Sequence, residues 1–252
     1  MQTSTDLKQT LKRLRLSALL GTLPDRVSYA KSAKLSHTDF LELILHDEVE
    51  RRDQNSVTLR LQNALLDHDQ VFERFDWDTK VTFDRERLKT LLDLTFIDRH
   101  ENVIFCGPAG VGKTFLANAI GHAAVRSGKK VLTLRATKLL KTLYQSRADN
   151  SFEKELVKLL APDLLIIDDF GLQALTKQQS TDFYELVIER HARSSTIITS
   201  NRHVDEWIAL FDDQILANSA VDRFAHNAHQ FVIDGESYRR MSAKQRGLTG
   251  QS

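Results

Sequence analysis

The chain has 252 residues, 41% hydrophobic and 27% charged, the composition of a globular protein with room for one large domain or two modest ones. No apolar run reaches the roughly 20 residues of a membrane helix, "MQTSTDLKQTLKRLRL" lacks the apolar core of a secretory signal, and the single cysteine, Cys106, excludes an internal disulfide and fits the cytoplasm. The net charge of +1 hides seven basic against two acidic residues in positions 1–34, leaving a net −4 on the rest; such a basic arm suits a polyanionic partner or a solvated helix face.

In chain order, the first third reads as helices. Leu7, Leu11 and Leu14 follow the three-to-four spacing of one buried face that Leu19 is expected to share, with Lys8, Lys12 and Arg15 on a neighbouring one; Gly21 and Pro24 are expected to close the segment. Ser36 reads as the N-cap of a second helix, with Asp39 three residues on. "SVTLRLQNALLDHDQVF" suggests a third. A small all-helical N-terminal domain over residues 1–70 follows from this pattern. Residues 71–84, aromatic and irregular, read as a linker.

A helix is expected around residues 84–98, and then the texture changes. Short apolar runs, "NVIFC", "KVLTL", "DLLIID", "STIITS" and "HQFVID", alternate with amphipathic segments. Runs apolar on both faces and separated by helices predict a doubly wound α/β domain with a five-stranded parallel sheet. It occupies residues 85–242, and 243–252 form a loose tail.

"GPAGVGKT" matches G-x-x-x-x-G-K-[ST] at every fixed position, after a predicted strand and before a predicted helix. The candidate nucleotide-binding residues are therefore Gly107, Pro108, Ala109, Gly110, Val111, Gly112, Lys113, Thr114 and Phe115. Glycines let successive N–H groups turn inward around phosphate oxygens, and the following helix adds its partial positive charge. Lys113 is expected on the β- and γ-phosphates of ATP and Thr114 on Mg²⁺. Cys106, just before the loop, reads as a small buried residue ending its strand rather than a redox centre.

"LLIIDDFG" places Asp168 and Asp169 at the C-terminal end of a strand, the edge at which open α/β sheets bind ligands. Asp168 is suited to the Mg²⁺ site. Asp169 can orient or deprotonate an attacking water, or it caps the following turn. Asn201, ending "TIITSN", can contact a γ-phosphate or simply form a turn. His226 and His229, three apart, lack the further ligands of a metal site.

Taken together, "GPAGVGKT", "LLIIDDFG", "STIITSNR", "AVDRFAHNAH" and "GESYR" resemble the IstB-type helper ATPases of bacterial insertion sequences. These are AAA+ proteins related to DnaC-type helicase loaders and DnaA initiators. The resemblance spans about residues 70–240. It implies an AAA+ ATPase in which Asp168 is the Mg²⁺-associated acid, Asp169 the hydrolytic acid and Asn201 the γ-phosphate sensor. It further makes Arg223 a finger supplied to a neighbouring subunit, with Arg202 as the alternative, and Arg239 a second phosphate sensor. A homo-oligomeric ring or spiral on double-stranded DNA, serving a transposase, is the implied assembly. Lys8, Lys12, Arg13 and Arg15 are then the first candidates for DNA contact, with Arg51 and Arg52 second. No recognition element for base reading is evident, so binding is expected to be independent of sequence.

Two departures carry consequences. Many AAA+ proteins have glutamate at the position of Asp169, and the shorter acid suits a timer better than a motor. Too few residues follow the fifth strand for the usual helical lid, so Phe75 and Trp77 become candidates for holding the adenine. A helicase loader, a P-loop kinase of a small metabolite and an ATP-gated scaffold with negligible turnover are the competing readings.

Overall fold

A computed structural model describes residues 4–77 and 81–238. The chain divides into two compact units, residues 1–59 and 60–252. No helix among the described residues is long and apolar enough to cross a membrane.

The first unit is built from α1 (Thr5–Arg13), α2 (Leu19–Ala33) and most of α3 (His37–Ala64). Ser4 caps α1, its Oγ accepting from the Leu7 amide at 3.2 Å. The single helix expected across residues 6–23 is interrupted because Arg15 takes a left-handed backbone, φ 57°. Leu7 and Leu14 are consequently exposed while Leu19 is buried, so the leucines do not share one buried face. Pro24 does not end a helix either; it lies inside α2. The entry to α2 is wound tightly, Leu19, Leu20 and Gly21 each donating three residues back, and the proline costs only one donor beyond it.

The second and third expected helices are one. Ser36 and Asp39 form the reciprocal cap, and from there α3 runs through the polar "RRDQNS" because that stretch contains no glycine or proline. Glu48, only 3% exposed, is held by Arg51 and Arg52 at 2.7 Å each. Arg52 also donates to the Arg15 carbonyl at 2.8 Å, tying α3 to the α1–α2 turn.

In the second unit, a 3₁₀ turn (Phe72–Arg74), β1 (Val81–Thr82), α4 (Arg85–Leu91) and α5 (Thr95–Asp98) precede the sheet. The one helix expected at 84–98 is broken at Leu94, whose φ is 58°. Then come β2 (Asn102–Cys106), α6 (Lys113–Arg126), β3 (Val131–Arg135), α7 (Ala136–Ala148), α8 (Phe152–Leu160) and β4 (Leu164–Phe170). They are followed by α9 (Lys177–Arg190), β5 (Ser195–Ser200), α10 (Gln214–His226), β6 (Ala228–Val232) and β7 (Asp234–Gly235). The five expected strands form one parallel sheet in the order β3-β4-β5-β2-β6, and β1 pairs antiparallel with β7.

Both faces of the sheet are covered. Ile104, Leu165, Ile167 and Ile198 join a core with α7, α8, α9 and α10, while the intervening Ile166 meets α6 at Gly121. At Gly121 a Cβ would lie 2.9 Å from Ile166 and 2.6 Å from Leu66, so the absent side chain allows the close approach. Asn102 at the start of β2 accepts from the Thr196 amide at 2.9 Å and donates to the Phe224 carbonyl at 3.2 Å, anchoring α10 to the sheet. The Arg190 guanidinium is almost fully buried, and burial pushes its pKa down to about 10. It reaches the Leu159 and Pro162 carbonyls at 2.7 and 3.2 Å, closing the α8–β4 connection.

The hydrogen bond from Arg51, reinforced by Arg52, holds the Glu48 carboxyl down at about 2 against an ordinary 4.5. A carboxyl depressed in the folded state contributes stability above its unfolded pKa and loses it as pH falls through the folded one. Glu48→Gln is therefore expected to be less stable than wild type near neutrality, with the gap closing between about pH 4.5 and pH 2. Denaturant midpoints followed by helix content across that range check this.

Candidate nucleotide site

The phosphate loop starts where β2 ends. The Gly107 amide donates to the Ser200 carbonyl of β5 at 3.2 Å, and the Ile233 amide after β6 donates to the Cys106 carbonyl at 2.8 Å. Gly107 has φ 146°, and a Cβ there would fall 1.9 Å from the Ile233 carbonyl oxygen. Only glycine admits that approach. Gly110 and Gly112 also have positive φ, and Gly112 leads directly into α6. Burial pushes the Cys106 thiol up to about 11, so it stays protonated and is a packing residue.

Lys113, 5% exposed, curls back over the loop. Its Nζ donates to the carbonyls of Gly107 and Pro108 and to Asn201 Oδ1, each at 2.7 Å. Thr114 Oγ1 donates to Asp168 Oδ1 at 2.8 Å. The same carboxylate oxygen accepts from Thr199 Oγ1 at 2.6 Å. Asp169 follows with φ 57°, its amide donating to Thr199 Oγ1 at 2.9 Å. Thus loop, acids and asparagine, far apart in sequence, meet at the carboxyl ends of β2, β4 and β5.

An open cavity of about 220 Å³ lies against the loop, lined by Phe75, Thr114, Phe115, Asp169, Asn201 and Tyr238 among others. Phe75 packs on Phe115 with centroids 5.3 Å apart. Trp77 stands edge-on to Phe75 at 4.7 Å and does not line the cavity. Tyr238 was not singled out in the sequence; its amide donates to the Gly110 carbonyl at 3.0 Å, pinning the segment after β7 to the loop. Thr199 was also passed over, although a polar residue in a strand buried on both faces needs a partner and so carries a signal.

Arg223, on α10, donates to the Ser219 carbonyl at 3.0 Å and does not line the cavity of its own chain. Arg202 Nε donates to the Gly171 carbonyl at 2.8 Å, with Glu206 at 3.6 Å. Arg239 lies outside the described residues. Lys8, Lys12, Arg13 and Arg15 are exposed, and among the described residues none of the four makes an ion pair. Arg51 and Arg52 share Glu48, so their charge is partly neutralised.

A five-stranded parallel sheet in this order, with a phosphate loop after β2, the strand next to the β6 edge, and an acid pair on the next strand but one, defines an AAA+ P-loop protein. The chain belongs to the family of IstB-like ATP binding proteins, whose model matches residues 9–246. It is 35% identical to a protein named for ATP binding in an insertion sequence of Mycobacterium tuberculosis, over 92% of this chain and 93% of that one. It is 33% identical to a protein of insertion sequence IS21 from Pseudomonas aeruginosa, again named for ATP binding, over 96% and 92% of the two chains. The fold is also that of a replication initiator, DnaA, bound to AMPPCP and single-stranded DNA (TM-score 0.57, 19% identity), which it matches over 75% of this chain and 58% of the other.

Lys113→Ala removes the buried ammonium that faces the loop. At about 1.5–3 kcal/mol for a charge-assisted hydrogen bond, ATP affinity is expected to fall about 10–100-fold. Equilibrium binding of a fluorescent ATP analogue measures it, and unchanged affinity would overturn the phosphate assignment.

Proposed function

We propose that the chain is an ATP-dependent, self-assembling, DNA-binding ATPase that assists transposition, preparing target DNA for a partner transposase and regulating it in the cytoplasm. One observation carries the reading: Lys113, Thr114, Asp168 and Asn201 converge on one loop in a member of a family whose relatives are named for insertion sequences.

The triphosphate of ATP seats on the loop amides and the α6 N-terminus, and Lys113 exchanges its carbonyl acceptors for phosphate oxygens. Thr114 and Asp168 offer the hard oxygen donors that suit Mg²⁺, which when bound neutralises charge on the phosphates. Asp169, on the cavity wall, orients and deprotonates the attacking water, and Asn201 senses the γ-phosphate. Phe75 offers an aromatic face to the adenine. Arg239, outside the described residues, is the second phosphate sensor in this reading.

Arg223 completes the site of a neighbouring copy. It does not line the cavity of its own chain, which supports service in trans; its bond to Ser219 lies within its own helix, whereas Arg202 is engaged by Gly171 and Glu206. Lys8, Lys12, Arg13 and Arg15 contact DNA phosphates without reading bases; Arg51 and Arg52, held by Glu48, contribute less.

ATP turnover and particle size, measured together, test the proposal. Long duplex DNA is expected to raise both, and charge reversal of Lys12, Arg13 and Arg15 to lower the salt slope of binding by up to about three units. A chain that stays monomeric and unstimulated with ATP and duplex DNA would favour the metabolite kinase. For the shared site, Asp169→Asn and Arg223→Ala are each expected to be nearly inactive, a finger being worth about 10³–10⁵ in rate. Mixing the two should restore part of the turnover, since each copy supplies what the other lacks; no rescue at any ratio would remove the trans assignment.

A further inference from the structure

The pairing of β4 with β5 contains an irregularity that bears on both acids. Ile167 pairs with Ile198 and Phe170 with Ser200, so Asp168 and Asp169 together stand opposite the single residue Thr199. This is a β-bulge, two residues against one, a device that re-aims side chains at sheet ends. In a regular strand, successive side chains leave on opposite faces. Here Asp168 reaches Thr114 while Asp169 still lines the cavity.

Thr199 is fully buried, and its hydroxyl bonds both members of the bulge: it donates to the Asp168 carboxylate and accepts from the Asp169 amide. One bond fixes the direction of a carboxylate. The other supports an amide whose residue is in the left-handed region, where a non-glycine residue is held only by its surroundings. We propose that Thr199 is a positioning residue, orienting the metal-associated acid and the hydrolytic acid as a unit. The proposal rests on the nucleotide-hydrolysing reading of the loop. A hydroxyl that only satisfied its own burial would contribute to stability and leave the metal response untouched.

The test compares full-length Thr199→Val and Thr199→Ser with wild type. Valine keeps the β-branched shape and loses both bonds; serine keeps the hydroxyl. Removing a group that orients a metal ligand typically costs about 10–100-fold in metal affinity or activity. Thr199→Val is therefore expected to lose kcat by about that factor with KM for ATP little changed. It should also lose the Mg²⁺-dependent part of the affinity for a fluorescent ADP analogue, with metal-free binding retained. Thr199→Ser should recover most of both. Wild-type kcat and metal response in Thr199→Val, or a serine variant as impaired as the valine one, would overturn the proposal. If Thr199→Val does not fold, Thr199→Ala is read the same way. A wild-type chain that neither binds the analogue nor hydrolyses ATP would instead overturn the nucleotide reading itself.

Discussion

An ammonium group removed from water must find acceptors, and Lys113 finds three within 2.7 Å. Two are loop carbonyls and the third is Asn201, so one cation binds the curl of the loop to the end of β5. The bond to Asn201 is within reach because β5 lies beside β2 in the sheet. Phosphate oxygens compete for the same charge. The loop and the end of β5 are thus linked through a single side chain.

Much of the sheet could be read along the chain because strands buried on both faces are rich in apolar and β-branched residues and carry no alternation with charge. "NVIFC" and "STIITS" coincide with β2 and β5 for that reason. The helical third was less legible. Leu7, Leu11 and Leu14 have helical spacing, yet α1 ends at Arg13 and the left-handed Arg15 turns the chain before Leu19 opens a second helix. Proline and glycine were given too much weight at Pro24 and Gly21, and the polar stretch inside α3 was taken for a break without containing a breaker. Arg51 and Arg52 illustrate another limit. Counted as charges they point outward, but Glu48 lies three and four residues before them, the spacing at which helical side chains meet.

The convergence of the loop, Asp168 and Asn201 was legible because each stands in the sequence at the end of an apolar run. Thr199 and Tyr238 were not, since their roles depend on register between strands and on where the segment after β7 returns. Periodicity along one strand carries no information about a two-to-one pairing with the next. Phe75 shows the same limit: its aromatic character was visible, but not that it would line the cavity while Trp77 stood behind it.

Asp169 has φ 57°. Short polar side chains such as Asp and Asn tolerate that backbone far better than longer ones. The kink and the residue type at this position therefore agree. Were Asp169 to act on water as proposed, its reach would be set by a backbone angle as much as by the length of its side chain.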